Sequence, residues 1–525
     1  MVAQNESIIF YGAGLFARQN LKNWEEKGLI PTCFVDSSYD KWHQVLPSST
    51  SKGKTYEILP LHEALRKYPY SQFFISTSKP LINEIAHFLI RSGIPRCRII
   101  NYSYWRSAYR KIQKIKLISI MYFLRYFIIL LDSIFPKNEK KIVFRSIPEF
   151  SDNALEFYKY ITRNHPSKYI MRWVFIDSIY QKNPNFKAVL NRFHPDKCHH
   201  FASFKGLYHL LTCKYIVCTH ADLIFDFISM KRHCILNLWH GMPVKTIGFS
   251  EPMLSRKLTN RYLMLGKNVF FFTTSDIFKL CMATSCYAKY KNIFVTGQPR
   301  TDCCFHKSSS VEKLLVSEKT YNKIFLYLPT YKERSRNYKK DVNSELNNIF
   351  YMKDYDENKF DEYLQKENTL LLVKPHPFDE IAYMDFLRSN KLSENIKVFF
   401  NLDFISKNIY LYEIFPYANC LISDFSSAAI DFMILNKPVL FMDNLTEEYK
   451  QNRGMIFPDN YEIFLQGAKV KTFDQLLINM KAISKGDDKY KEQREAHLKY
   501  MHKYLDDKAS ERIYKNIFER EGRTR

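Results

Sequence analysis

Short apolar runs recur along this chain, and several of them stop in a burst of polar, titratable or turn-forming residues. The bursts are LWHGMPVKTIG (238–248), GQPRTD (297–302), PTYKE (329–333), LLLVKPHPF (370–378) and SDFSSAAIDFMILNKPVLF (423–441). Apolar runs without alternation mark strands covered on both faces, as in a parallel sheet. Open α/β sheets place their chemistry outside the carboxyl ends of such strands. The series of bursts therefore predicts an α/β protein with a cleft assembled from strand ends.

At 525 residues the chain is too long for one hydrophobic core, so roughly two to four domains are expected. Residues 1–105 read as a small Rossmann-like module. SIIFYGAG is a strand and a glycine turn, CFVDSS (33–38) and QFFISTS (72–78) are further strands, and LINEIAHFLIRSGI (81–94) is an amphipathic helix. Gly12-Ala-Gly14-Leu-Phe-Ala17 fits G-x-G-x-x-A, and Asp36 lies 22 residues after Gly14. In that motif the glycines let a phosphate approach a helix N-terminus, and the acidic residue takes a ribose hydroxyl. A module that serves only for docking fits the same residues.

Residues 106–136 hold a nearly apolar run from Leu117 to Leu131, broken by Arg125. It is short of the about 20 residues that a membrane span needs. Lys111, Lys114, Lys116 and Arg125 give it a basic side. A helix lying in the membrane interface and a buried linker between domains both stay open. Residues 137–305 form the first large α/β domain, with strands KKIVFRS (140–146), MRWVFID (171–177), KYIVCTH (214–220) and HCILNLWHG (233–241). SDNALEFYKYITRN (151–164) reads as a helix with an N-cap serine. Residues 306–525 form a second, with strands KIFLYLP (323–329), TLLLVKP (369–375), CLISD (420–424) and PVLFM (438–442) and a charged helical tail.

The net charge of +24 calls for polyanionic partners. No RNP motif, zinc-finger spacing or basic-leucine pattern accompanies it, so nucleic acid is not expected; phosphorylated substrates and an anionic membrane surface are. The 11 cysteines form no CxxC pair, which suits reduced thiols. MVAQNESIIFYGAG has no basic n-region or cleavage site, so no signal peptide is expected.

His240 follows an apolar strand and precedes Gly241, Pro243 and Lys245; a histidine held there can move protons near neutrality. Lys374 and His376 flank Pro375 and can serve a pyrophosphate, one as a fixed cation and the other as donor or acid. Ser426 and Ser427, with the backbone N–H groups of the helix they open, offer an anion site, although capping alone would need only one of them. Asp424 would hold a ribose hydroxyl or cap that helix, and Asp431 lies one turn into it. Arg300 and Asp302, and Arg453 in NRG, are further phosphate or orienting candidates.

Taken in order, WHG, GxPRxD, PT with a following basic residue, KxHP and SDFSS with a later Asp, then KP and RG, resemble the CDP-glycerol glycerophosphotransferases. These are the teichoic-acid primases and polymerases and related capsule polymerases. The resemblance covers about 140–460, and Asp152–Asn153 fits its opening segment. It implies a GT-B-like pair of Rossmann-type domains with the nucleotide against the second, preceded here by the small Rossmann-like module. It makes His240 and His376 the catalytic pair and places 423–427 at the donor phosphates; the donor- and phosphate-binding candidates are then Lys374, Arg300, Thr330, Lys332, Asp424, Ser426, Ser427 and Asp431. PTYKE departs from the pattern, since Lys332 supplies charge but not the bidentate fork of an arginine. The implied partners are CDP-glycerol or a related CDP-polyol and a lipid-linked or polymeric glycan acceptor. The implied location is cytoplasmic, peripheral on the inner face of the membrane. No metal-ligand spacing is visible, and a Mg2+ held mostly by phosphates would leave little trace. A nucleotide-sugar glycosyltransferase on the same scaffold and a basic, non-enzymatic membrane-associated binder are the rivals.

Overall fold

The apolar runs do form strands, and nearly all of them pair in parallel. The computed structural model describes residues 7–77, 79–95, 98–101, 123–176, 197–220, 223–251, 254–316, 320–329, 348–376, 379–407, 409–424, 426–443, 454–457, 461–464 and 466–519. The chain divides into two units, Met1–Tyr126 and Phe127–Arg525.

The first unit holds a sheet of β1 (Ile8–Tyr11), β2 (Cys33–Val35), β3 (Val45–Pro47), β4 (Thr55–Leu59), β5 (Gln72–Ile75) and β6 (Ile99–Asn101). Its order is β3-β4-β2-β1-β5-β6, parallel except where β3 meets β4. Phe10 lies in register with Phe34 and Phe74. All three rings pack beside or around Trp24, which Phe10 meets edge-on at 5.6 Å.

The second unit holds two larger sheets, parallel throughout. The first contains β7 (Asn138–Phe144), β8 (Ile170–Phe175), β9 (Cys198–His200), β10 (Cys213–Cys218), β11 (Cys234–Asn237), β12 (Val269–Thr273) and β13 (Ile293–Val295), in the order β13-β12-β11-β10-β7-β8-β9. The second contains β14 (Lys323–Leu328), β15 (Thr369–Val373), β16 (Ile396–Val398), β17 (Cys420–Ser423), β18 (Val439–Met442) and β19 (Ala468–Val470), in the order β16-β15-β14-β17-β18-β19. Each sheet is covered on both faces by its own pair of apolar clusters. That is why its strands read as continuous apolar runs rather than alternating ones. Strand order reverses between β7 and β10 in one sheet and between β14 and β17 in the other. Crevices of open α/β sheets lie at such reversals.

Two elements depart from the sequence reading. The tail assigned to the second domain leaves it near Met501: Thr274 Oγ1 donates to the Met501 carbonyl at 2.6 Å, and Lys503 N donates to Thr274 O at 2.8 Å. Beyond this, Ile513, Tyr514 and Ile517 are buried in the core of the first large sheet, with Ile142, Phe144 and Leu236. Tyr514 stacks on His165 at 3.8 Å and takes the Lys168 ammonium at 2.7 Å. The charged composition of the tail hid an apolar stripe at i, i+1 and i+4. Second, of the 106–136 segment, residues 102–122 lie outside the described residues, and a helix runs over 123–134. In the second unit, Ile128 and Asp132 anchor it while Phe127, Leu130 and Ile134 are exposed. Asp132 accepts from Lys137 Nζ at 2.5 Å, Ser229 N at 2.7 Å and His233 Nε2 at 3.0 Å. One edge of this helix is therefore buried and the other exposed. Among the described residues no helix is long and apolar enough to cross a membrane.

Candidate active site

The turn Leu238–Gly241 leaves β11 through two left-handed residues, Trp239 at φ +57° and Gly241 at φ +133°. Such a turn needs holding, because a bulky residue at positive φ is strained. Asn153 Nδ2 donates to the Trp239 carbonyl at 2.9 Å, Gln298 Nε2 to Leu238 O at 3.3 Å, and Trp239 N to Asn237 Oδ1 at 3.0 Å. Arg300 Nη1 donates to the His240 carbonyl at 2.8 Å. The His240 ring is set by its Nδ1–H, which donates to the Thr219 carbonyl at 3.0 Å. A carbonyl can only accept, so the lone pair of neutral His240 is on Nε2, the tautomer a proton acceptor needs.

The turn sits directly on the second domain. A Cβ at Gly241 would collide with Ser427 Oγ and lie 2.6 Å from Ser427 Cβ and 2.8 Å from Arg300 Nη2. Only glycine allows this approach. Past the turn, Ile456 N donates to Val244 O at 3.0 Å and Thr246 N to Gly454 O at 3.2 Å, and Lys245 bridges Met455. Backbone hydrogen bonds thus join the two Rossmann-type domains.

Arg300 is buried here. Its Nη1 pairs with Asp152 Oδ1 at 3.0 Å, its Nη2 with Asp431 Oδ2, and its guanidinium lies 4.9 Å over the Tyr412 ring. Burial alone would lower its pKa, but Asp431, Tyr412 and Asp152 outweigh it and hold it well above the ordinary value. Asp431 Oδ2 also accepts from Tyr412 Oη at 2.7 Å. Arg300 and Asp431 thus pair with each other, and Arg300 also holds the turn. Asp302 likewise caps the tail, accepting from Ala509 N and Ser510 N at 2.9 Å.

In the second domain, His376 follows β15 half-buried, its carbonyl accepting from Asp379 N at 2.8 Å. Lys374 is buried, donating to Pro375 O at 2.8 Å and Glu380 Oε1 at 3.1 Å. Burial draws its pKa down, and Glu380 restores only part of it. Its ammonium, the fixed cation expected from KPH, is held by Pro375 O and Glu380. Ser426 caps the short helix Ser427–Phe432, accepting from Ala428 N at 3.2 Å, and Ser427 faces Gly241. Asp424 follows β17 at the strand-order reversal, partly buried. Thr330, Lys332 and Arg453 lie outside the described residues. No three His, Cys, Asp or Glu side chains among the described residues group as metal ligands.

Residues 127–519 match the family model described as CDP-Glycerol:Poly(glycerophosphate) glycerophosphotransferase. The chain belongs to this glycerophosphotransferase family. It is 26% identical over 314 residues to the teichoic acid ribitol-phosphate polymerase TarL of Staphylococcus aureus, covering 56% of this chain and 50% of TarL. It is 27% identical over 360 residues to the teichoic acid poly(glycerol phosphate) polymerase of Bacillus spizizenii, covering 65% of this chain and 83% of that one. The chain thus spans about half the length of the first and most of the second. The structure of the wall teichoic acid polymerase TagF soaked with CDPG superposes with a TM-score of 0.60 at 19% identity, covering 80% of this chain and 98% of TagF. At that identity the likeness is one of fold, the GT-B-like pair that the resemblance implied.

Two further features bear on the glycerophosphotransferase site. The sequence reading passed over the residues that hold the turn: Asp152 and Asn153 figured only as a family mark, and Gln298, Tyr412 and His220 not at all. Asp152, at φ +62°, turns its Oδ1 to Asn153 N at 2.8 Å, so the helix Asp152–Asn164 opens on the aspartate and not on a Ser151 side-chain cap. In the N-terminal module, Gly12 has φ +109° and Gly14 caps the helix Leu15–Glu25, as the fingerprint requires. Asp36, however, is turned inward, with Oδ2 taking Ala13 N at 2.8 Å and Oδ1 taking Ser38 N at 3.0 Å and Lys41 Nζ at 3.1 Å. Burial pushes this carboxyl up, but those donors outweigh it and hold its pKa below the ordinary value. The carboxylate of Asp36 thus holds an amide of the glycine turn.

Proposed function

We propose that the protein transfers a polyol phosphate, glycerol phosphate foremost, from a CDP-linked donor to a hydroxyl of a membrane-linked or polymeric cell-surface glycan, releasing CMP. The observation that supports this most is the seating of the His240 turn on Ser427, which brings a proton acceptor from one domain against the hydroxyl-bearing helix start of the other. In this reading His240 Nε2 takes the proton of the acceptor hydroxyl. The acceptor oxygen bonds to the β-phosphorus of the donor, the anhydride bond to the α-phosphate breaks, and its electron pair leaves on CMP. Such a transfer depends on positioning and charge stabilisation. His376 acts on the departing phosphate, and Ser426, Ser427 and Asp424 hold the donor. Lys374 stiffens the strand end that carries His376. A Mg2+ would be carried mainly by the donor phosphates.

The test is a donor panel scored by CMP release, with CDP-glycerol, CDP-ribitol and sugar nucleotides side by side. His240→Ala is expected to lose about 10²–10⁴ in rate, the usual contribution of a general base. Near-normal turnover of that variant, or consumption of a sugar nucleotide instead of a CDP-polyol, would sink the proposal. The basic charge and the exposed face of Phe127, Leu130 and Ile134 support a peripheral site on an anionic membrane, the cytoplasmic leaflet in this reading. Replacing those three by serine is expected to reduce sedimentation with anionic vesicles; an unchanged pellet fraction would remove the support.

A further inference from the structure

β7 and β10 are the neighbours between which strand order reverses in the first large sheet. The residue pair that follows β10, Thr219–His220, stands at that crevice. The His220 ring lies parallel to that of His240, with centroids 3.9 Å apart and planes 6° apart. Thr219 serves both rings. Its carbonyl accepts the His240 Nδ1–H, and its hydroxyl lies 2.9 Å from His220 Nδ1. The same hydroxyl accepts Ile147 N–H at 3.3 Å. Asn237 Nδ2 donates to the His220 carbonyl at 3.4 Å and fixes the backbone beneath the ring.

We propose that His220 is a positioning residue for the transfer, a flat floor that fixes the plane of the His240 imidazole and so the direction of its Nε2 lone pair. The inference rests on His240 being the base. The hydrogen bond to Thr219 pins one ring atom, and the stack restrains rotation about that pin; Trp239 also stacks on the ring, at 4.8 Å and 26°, but His220 lies closer and nearly parallel. Three groups from other elements act on His220: His240 from the turn after β11, Arg145 after β7, and Arg300 after β13. Burial, then these three, hold it well below the ordinary histidine range. When His240 takes the acceptor proton, the resulting imidazolium lies against a ring that stays neutral, since a second cation there would be repelled.

The experiment compares His220→Ala and His220→Phe in the full chain with CDP-glycerol as donor. His220→Ala is expected to lower kcat by about 10- to 100-fold, the effect of a misplaced catalytic group, with KM for the donor unchanged. His220→Phe keeps a flat ring without nitrogen and is expected to recover most of that loss. The acid limb of the kcat–pH profile should move to higher pH in the alanine variant, where water reaches His240, and stay in place with phenylalanine. A merely structural defect would lower the plateau and leave the limb where it was. Wild-type kcat in His220→Ala overturns the inference, as does a phenylalanine variant as poor as alanine, which would give the His220 nitrogens a chemical role. Histidine-ring NMR titration of His240 in the same variants needs no turnover. If wild type fails to use the donor, the reading of the reaction falls, and this second measurement still decides whether His220 sets the ring.

Discussion

An arginine in GQPRTD reads as a phosphate or orienting contact from its residue type, because a planar fork suits phosphate. Arg300 has that chemistry but spends it on Asp152, Asp431 and the His240 carbonyl. Arg300→Met would leave two buried carboxylates without their cation. Breaking a buried pair in this way costs about 3–5 kcal/mol. The expected outcome is a fall of that size in urea unfolding; a change under 1 kcal/mol, the scale of an exposed pair, would show that Arg300 is not the strut described. His240 was legible because its strand-end setting is written in adjacent residues. The roles of Arg300 and Asp431 were not, since their surroundings come from positions far apart in sequence. His220 lay in plain view at the end of KYIVCTH, but its stacking partner arrives from the next strand.

At the scale of elements, the strands were legible where they are long and buried on both faces, as in β14, β15 and β17. Among those missed are the three-residue β9, β16 and β19, where so short a run carries no period, and also the five-residue β4 and β12. The tail helix was read as a charged appendage and is a wall of the first sheet. Burial pushes the Asp302 carboxyl up to about 7, against the pull of Ser510, Ala509 and Arg512. A folded pKa above the ordinary 3.8 means the folded state binds the extra proton, so this contribution is present at low pH and is lost as pH rises through about 7. Protease cleavage near 503–508 should therefore increase between pH 6 and 8, and Asp302→Asn should flatten that trend. A cleavage rate with the same pH dependence in both proteins would remove Asp302 as the cause.

For the whole molecule, burial comes first among the causes that depress the pKa of His165, His209, His220 and His502, with His209 brought down to about 4. Depressed histidines bind fewer protons folded than unfolded, so their contribution is complete above the ordinary 6.5 and is lost as pH falls toward 4. The unfolding midpoint should drop across that window, most steeply at its upper end for the groups nearest 6.5, and His502→Gln should soften the drop. A midpoint that is flat from pH 7 to 5 contradicts this. The division into two parallel sheets was legible from the apolar runs. How the domains are fastened was not, because the single antiparallel bridge between Lys245 and Met455 that joins them is too short to announce itself. The crossing tail has a consequence for synthesis. All seven strands of the first large sheet have left the ribosome by Val295, yet Ile513, Tyr514 and Ile517, which cover it, emerge only after the entire second domain. Nascent domains ordinarily fold in order of emergence. Here the earlier of the two must wait, its hydrophobic face open to chaperones or to its neighbours on the same message, until the later one has been made.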